Sequence, residues 1–221
     1  MIISTKAILI NYLKYNDYNF IIEFFTRERG KESFIVSLKK FPKNYFKLLS
    51  SYDLEVIISN TREIQKIKNI YLITNYSLYF NNIKSSIIIF LSEFLNKVLP
   101  KNQIDYNIFN FIENSINELD KLEEGIANFH LSFILKLTKY LGISFESYFL
   151  NVQYNKITNL QIIDFEIFLK LYKFNYNQLK NIKLNKTQRN DILDKLLSFY
   201  IYNYSVLSKL KSIDILKEIF D

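Results

Sequence analysis

From Lys14 to Leu38 the chain alternates with period two on either side of a break. Tyr18, Phe20, Ile22 and Phe24 share one parity, and Phe34, Val36 and Leu38 share another beyond Thr26 to Lys31. Two such runs flanking a turn predict a β-hairpin. Gly30, one of three glycines in the chain, falls where the connection calls for positive φ. Upstream, residues 2–13 set Ile3, Thr5, Ala7 and Leu9 against Lys6, Ile8 and Ile10, which predicts a strand with both faces partly covered. It leads into the hairpin through a turn at Asn16-Asp17. Downstream, Lys39-Lys40-Phe41-Pro42-Lys43 predicts an exposed loop, because proline has no N–H for a central ladder. Tyr52, Leu54, Val56 and Ile58 oppose Asp53 and Glu55, a half-buried strand. After a turn at Asn60-Thr61, residues 62–73 predict a fifth strand with Arg62, Lys66 and Lys68 on a basic side and Ile67 and Tyr71 toward the core. Five short strands predict a small barrel of the OB type; the patterning fits an SH3-like barrel equally.

At Asn81 the period becomes helical. Ile83, Ile87, Phe90, Leu91, Phe94, Leu95 and Val98 recur at steps of three and four until Pro100. A second helix carries Ile108 to Leu122. Gly125 separates it from a third, Ile126 to Leu141, with Gly142 as the residue that closes it. Residues 144–160 predict loop. A fourth helix runs through Ile162, Phe165, Phe168, Leu169 and Tyr172, and Asn175 to Lys186 predicts a polar connection. Thr187 is the expected cap of a fifth helix reaching toward Tyr204, and Ser212 that of a last one, Ile213 to Phe220. The expected fold is α+β: a five-stranded barrel, residues 1–80, followed by an all-α region, residues 81–221.

The chain has 221 residues, a formal charge of +7 and no cysteine, which excludes disulfides and thiolate metal ligands. The opening residues lack the layout of a signal peptide, and the longest apolar run, Ser85 to Leu95, carries Glu93 and falls short of the ~20 residues a membrane span needs. A cytoplasmic protein is expected. Codon drift toward Asn, Lys, Ile, Tyr and Phe would raise lysine without a polyanionic partner, so the distribution of charge says more than its sum. Residues 1–80 hold 12 Lys and Arg against 7 Asp and Glu, a surplus of 5; residues 81–221 hold 17 against 15, a surplus of 2.

Catalysis finds little support. The sole histidine, His130, falls on the apolar side of its helix, where a packed imidazole is expected. Glu123 and Glu124 precede a helix start that favours negative charge. No glycine-rich phosphate loop, metal-ligand spacing or nucleophile elbow occurs, and no cofactor is expected. Nucleic-acid binding needs phosphate neutralisation and flat surfaces for bases. Its candidates are Arg27, Arg29, Lys31, Lys39, Lys40, Lys43, Arg62, Lys66 and Lys68, with Tyr15, Tyr18, Phe41 and Tyr45 as stacking platforms. The competing class is a protein-binding adaptor with little affinity for DNA.

Several stretches, in order, resemble the RecO family of bacterial recombination mediators. They are Thr5-Lys6-Ala7-Ile8, Lys14-Tyr15-Asn16-Asp17, Phe25-Thr26-Arg27-Glu28-Arg29-Gly30-Lys31, Ile83-Lys84-Ser85-Ser86, Leu122-Glu123-Glu124-Gly125-Ile126-Ala127-Asn128-Phe129-His130 and Leu210-Lys211-Ser212-Ile213-Asp214-Ile215-Leu216-Lys217-Glu218. The resemblance spans nearly the whole chain and is weakest at about 145–185, where many members carry a cysteine zinc site that this chain lacks. It implies a DNA-engaging OB domain, a supporting helical domain and a non-enzymatic activity in DNA repair and homologous recombination. That activity is annealing complementary strands, on single- and double-stranded DNA, and loading a recombinase with a RecR-type partner. It also implies that the helical domain receives the acidic, hydrophobic C-terminal tail of single-strand DNA-binding protein. Lys97, Lys136 and Lys139 are the candidates to meet that tail, against a plain reading as solvated helix faces.

Overall fold

The computed structural model describes residues 1–59, 61–144, 162–204 and 210–219. Five strands, β1 (Ile2–Lys14), β2 (Asn19–Thr26), β3 (Gly30–Ser37), β4 (Ser51–Ile57) and β5 (Ile64–Leu72), close a barrel in the order β1-β2-β3-β5-β4. The contact of β3 with β5 is parallel and the other four are antiparallel. The closing contact of β3 with β5 is short, three residue pairs from Ser33–Ile64 to Ile35–Lys66, and ahead of it Lys31 on the β3 edge pairs with Lys101 instead. The barrel interior is filled by the predicted parities: Ala7, Leu9, Phe20, Ile22, Phe24, Phe34, Val36, Tyr52, Leu54 and Val56 are all buried. Phe24 meets Phe34 and Tyr52 edge-on at centroid distances of 6.0 and 5.5 Å, an arrangement the ring quadrupoles favour.

β1 explains how one strand serves two cores. Ala7 and Leu9 point into the barrel, while Ile8 and Ile10 point out and join the core of the helical region, as Phe25 and Leu49 also do. The register shifts between Leu9 and Asn11. Beyond that bulge the parity inverts, so Tyr12 turns inward against Phe20 and Phe46.

β5 departs from its expected parity for the same physical reason. A bulge sets Asn69 opposite Glu55 and Ile67 opposite Val56, which leaves Lys68 as the extra residue. Ile67 and Ile70 therefore both face inward, and Tyr71, expected in the core, is 55% exposed. The three-residue step between two apolar side chains is the trace of the bulge in the sequence.

The helices are α1 (Asn82–Val98), α2 (Tyr106–Lys121), α3 (Phe129–Tyr140), α4 (Ile162–Lys173), α5 (Lys186–Asn203) and α6 (Ser212–Ile219). Asn81 caps α1 by accepting from the N–H groups of Ile83 and Lys84. Gly125, with φ of 72°, precedes the 3-10 turn Ile126–Asn128 that leads into α3, and Gly142, with φ of 68°, follows the end of α3. The expected polar connection at Asn175 to Lys186 instead contains a 3-10 segment, Tyr176–Asn181, that buries Tyr176 and Leu179. α5 starts before the expected cap at Thr187, because Asn185 and Gln188 form a capping box. α6 is held at its start by α1: Glu93 accepts from the N–H groups of Lys211 and Ser212 and from the Ser212 hydroxyl. Burial works against the Glu93 charge, yet those bonds keep its carboxyl below its ordinary range. The loop expected at 144–160 lies, from 145 onward, outside the described residues.

His130 is the packed residue that the helical pattern implied. It is 2% exposed and meets the Phe90 ring edge-on at 6.0 Å. Burial, with Arg189 nearby, lowers its pKa to about 3, so it is neutral at physiological pH. Among the described residues, no helix is long and apolar enough to cross a membrane.

Candidate nucleic-acid interface

The nine basic candidates fall at two ends of the barrel, joined along β5. The first end is the β2–β3 turn, which faces the helical region. Gly30 sits there with φ of 74°, and a Cβ on it would lie 2.1 Å from the carbonyl oxygen of Gln103. The turn is thus pressed against the segment between α1 and α2. Lys31 is 6% exposed, and its ammonium donates to the backbone oxygen of Asn96 in the last turn of α1. Burial lowers its pKa, an effect that Glu23 opposes and Lys101 reinforces. It caps a helix C-terminus from outside, where positive charge is favoured. Lys31 therefore does not belong to an exposed basic tip, and of the two arginines beside it Arg29 is balanced by a carboxylate. Arg29 grips the buried Glu32 through Nε and Nη2 at 2.8–3.0 Å. Arg27 is exposed, 5.9 Å from the Tyr106 ring. Arg62 shares a polar groove of about 350 Å³ with Arg29, Glu32, Glu63 and Gln65.

The opposite end carries the β1–β2 and β3–β4 connections. From Ser33 to Tyr52 the chain has no acidic residue and holds Lys39, Lys40, Lys43 and Lys47. The β1–β2 turn is built on Asn16, whose Oδ1 accepts from the N–H groups of Tyr18 and Asn19 at 3.0 and 2.8 Å. This presents the Tyr18 ring, 65% exposed, with the Lys39 ammonium 5.9 Å from its centroid. The N–H of Leu38 donates to the Tyr18 carbonyl at 2.8 Å, which ties the two loops together. Lys40 reaches across to the backbone oxygen of Lys68 on β5. Lys68 stands 3.5 Å from Glu55, a half-exposed pair of little net worth. Lys43, in the short 3-10 turn after Pro42, is exposed. Lys66, two residues before Lys68, is exposed on the same outer wall.

The expected platforms divide as well. Tyr15 and Tyr18 are exposed. Tyr45 is structural: its hydroxyl donates to Ile70 and accepts from Leu72, and its ring lies among Phe41, Phe46 and Tyr52. Tyr71, on the core side by strict alternation, is an exposed ring because of the bulge at Lys68.

The three lysines of the helical region are not one site. Lys97 lies in the last turn of α1 near Glu93, at the α1–α6 seam. Lys136 is turned inward, with its ammonium on the Phe174 carbonyl at 2.5 Å and 4.4 Å from the Tyr176 ring. Burial lowers its pKa. Lys139 is exposed and borders an apolar pocket of about 280 Å³ between α3 and α4, lined by Leu135, Ile143, Phe165, Phe168 and Tyr172 among others.

Comparison with known proteins agrees with this architecture. The family model described as Recombination protein O N terminal matches residues 1–76, and that described as Recombination protein O C terminal matches residues 81–149. The chain is 34% identical to the DNA repair protein RecO of Azobacteroides pseudotrichonymphae over 245 aligned positions, 31% to that of Flavobacterium psychrophilum over 238 and 30% to that of Christiangramia forsetii over 242. In each case all of both chains is covered. With an N-terminal five-stranded barrel, a helical region behind it and similarity along its full length, this chain belongs to the RecO family of DNA repair proteins.

Proposed function

We propose that the protein is a recombination mediator that acts without covalent chemistry. Its barrel, residues 1–80, engages single- and double-stranded DNA, and its helical region, residues 81–221, supports the barrel. The observation that carries this reading is the acid-free run after Ser33, folded so that Lys39 and Lys40 stand beside Tyr18 and Lys68. Lys39, Lys40, Lys43, Lys66 and Lys68 neutralise phosphates, while Tyr18 and Tyr71 offer rings to unpaired bases. Arg27, Arg29 and Arg62 give a secondary approach, weakened at Arg29 and Arg62 by Glu32 and Glu63.

The mechanism is electrostatic. Two strands repel through their phosphates, and a cationic wall that holds both raises their local concentration until correct pairing nucleates. No bond is made or broken, and no cofactor enters. With a RecR-type partner the same surface delivers single strands to a recombinase. The α3–α4 pocket receives the tail of single-strand DNA-binding protein, its apolar residues entering the cavity and its carboxylates meeting Lys139. The protein works in the cytoplasm, on the nucleoid.

The test is annealing of complementary labelled oligonucleotides. The parent chain is expected to accelerate pairing, and Lys39→Ala/Lys40→Ala/Lys43→Ala to abolish most of the acceleration while melting at the same temperature. A chain that binds protein partners yet neither binds nor anneals bare oligonucleotides would be an adaptor instead.

A further inference from the structure

Tyr18 stands on the β1–β2 turn, and among the described residues its ring belongs to neither hydrophobic core. No buried wall fixes the ring, so its direction follows from its backbone. That backbone is set by one oxygen. Asn16 Oδ1 accepts from the N–H groups of Tyr18 and Asn19 at 3.0 and 2.8 Å and from the Asn19 side-chain amide at 3.2 Å. Asparagine suits the position because its short side chain carries an acceptor that reaches the N–H two residues on. The next loop is aligned to the result: the N–H of Leu38 donates to the Tyr18 carbonyl at 2.8 Å, and Lys39 follows with its ammonium 5.9 Å from the Tyr18 ring. Closure of the hairpin does not depend on the Asn16 side chain, since the backbone N–H groups of Tyr15 and Asn16 both donate to the Asn19 carbonyl, at 3.0 and 3.2 Å. Asn16 is itself exposed. The side chain therefore does little for the barrel and much for one ring.

Single and double strands make different demands on this corner. Both present phosphates, which lysines meet through charge, whereas only an unpaired base offers its face to a ring. We infer that Asn16 is a positioning residue that raises the preference of the site for single strands, by holding Tyr18 where a base can stack beside a phosphate on Lys39. The inference rests on the proposed DNA site and divides the work within it: the lysines serve either form of DNA, and the Asn16–Tyr18 pair favours the unpaired one. A ring already held in place loses less freedom when a base arrives than a ring on a slack turn. Asn16 needs no contact with nucleic acid, because its whole effect passes through Tyr18.

The affinities for a single-stranded oligonucleotide and for a duplex of the same length, both read by fluorescence anisotropy, test it. Asn16→Ala is expected to weaken single-strand binding about three- to tenfold, within the loss of one stacked base, with duplex affinity and melting temperature unchanged. Asn16→Asp keeps the acceptor and adds a second carboxylate next to Asp17, so it is expected to weaken both forms alike and to retain the parent's ratio. In a Tyr18→Ala background, Asn16→Ala is expected to have no further effect, because the two residues act as a unit. Unchanged single-strand affinity in Asn16→Ala, an equal loss on both forms, or a further loss in the Tyr18→Ala background would overturn the positioning role and leave the DNA site standing. A ratio that falls as far in Asn16→Asp as in Asn16→Ala would do the same. A parent chain that binds neither oligonucleotide would overturn the site and the inference together.

Discussion

The two ends of the barrel carry similar numbers of cations and put them to different uses. At the β2–β3 turn, Lys31 and Arg29 are consumed by a helix carbonyl and a buried carboxylate, and the backbone is pressed against the segment after α1. At the loop end, Lys39 and Lys43 stand in a stretch that has no acid to balance them, next to an exposed tyrosine. A count of basic residues treats the ends alike, and what separates them is what each charge already touches. Substitutions at the turn should therefore change folding, and substitutions at the loops should change binding.

The largest effect is expected from Gly30→Ala. A Cβ at 2.1 Å from a backbone oxygen, at positive φ, cannot be relieved by a side-chain rotation, and we expect a loss of about 3 kcal/mol or more in chemical denaturation. Lys31→Met keeps the apolar stem but leaves the Asn96 carbonyl unpaired. It should cost about 1–3 kcal/mol while the folded fraction binds DNA like the parent. Should Lys31→Met instead weaken DNA binding at unchanged stability, the contrast between the ends would fail. At the other end, Tyr18→Ala should leave the melting temperature unchanged and weaken binding to a single-stranded oligonucleotide about tenfold, the lower range for loss of one stacked base. The smallest effect concerns the helical support. His130 has a folded pKa of about 3, below its ordinary 6.5. The unfolded chain therefore takes up a proton that the folded chain refuses. Stability is full above pH 6.5 and falls as the pH drops from there toward 3, by at most about 1.4 kcal/mol per unit. Denaturation between pH 7.5 and 5.5 should show this decline, and His130→Gln should remove it.

Alternation and helical period made the barrel, its hairpin and the six described helices legible, because burial on one face leaves a period in the sequence. Single-residue insertions were not legible as such. The bulge at Lys68 moved Tyr71 from the core to the surface, and the one at Ile10 turned Tyr12 inward. Caps depended on local competition: Asn185 with Gln188 outbid Thr187 by pairing reciprocally. The candidate site was legible as a set of charges and not as a grouping. Nothing local to Lys31 or Lys136 announces that each ammonium turns inward to a carbonyl, on Asn96 and Phe174, 65 and 38 positions away. Tertiary contact decides that, whereas Lys39, Lys40 and Lys43 were marked by the proline between them and by the absence of nearby acids.

The most direct test is the salt dependence of binding to a single-stranded oligonucleotide, compared between the parent, Lys39→Ala/Lys40→Ala/Lys43→Ala and Arg27→Ala/Arg29→Ala. Each phosphate contact contributes about 0.7 to the slope of log affinity against log salt. The lysine variant should lose roughly 2 from that slope, and the arginine variant much less. An unchanged slope in the lysine variant, or a greater loss in the arginine variant, would contradict placing the DNA at the loop end of the barrel.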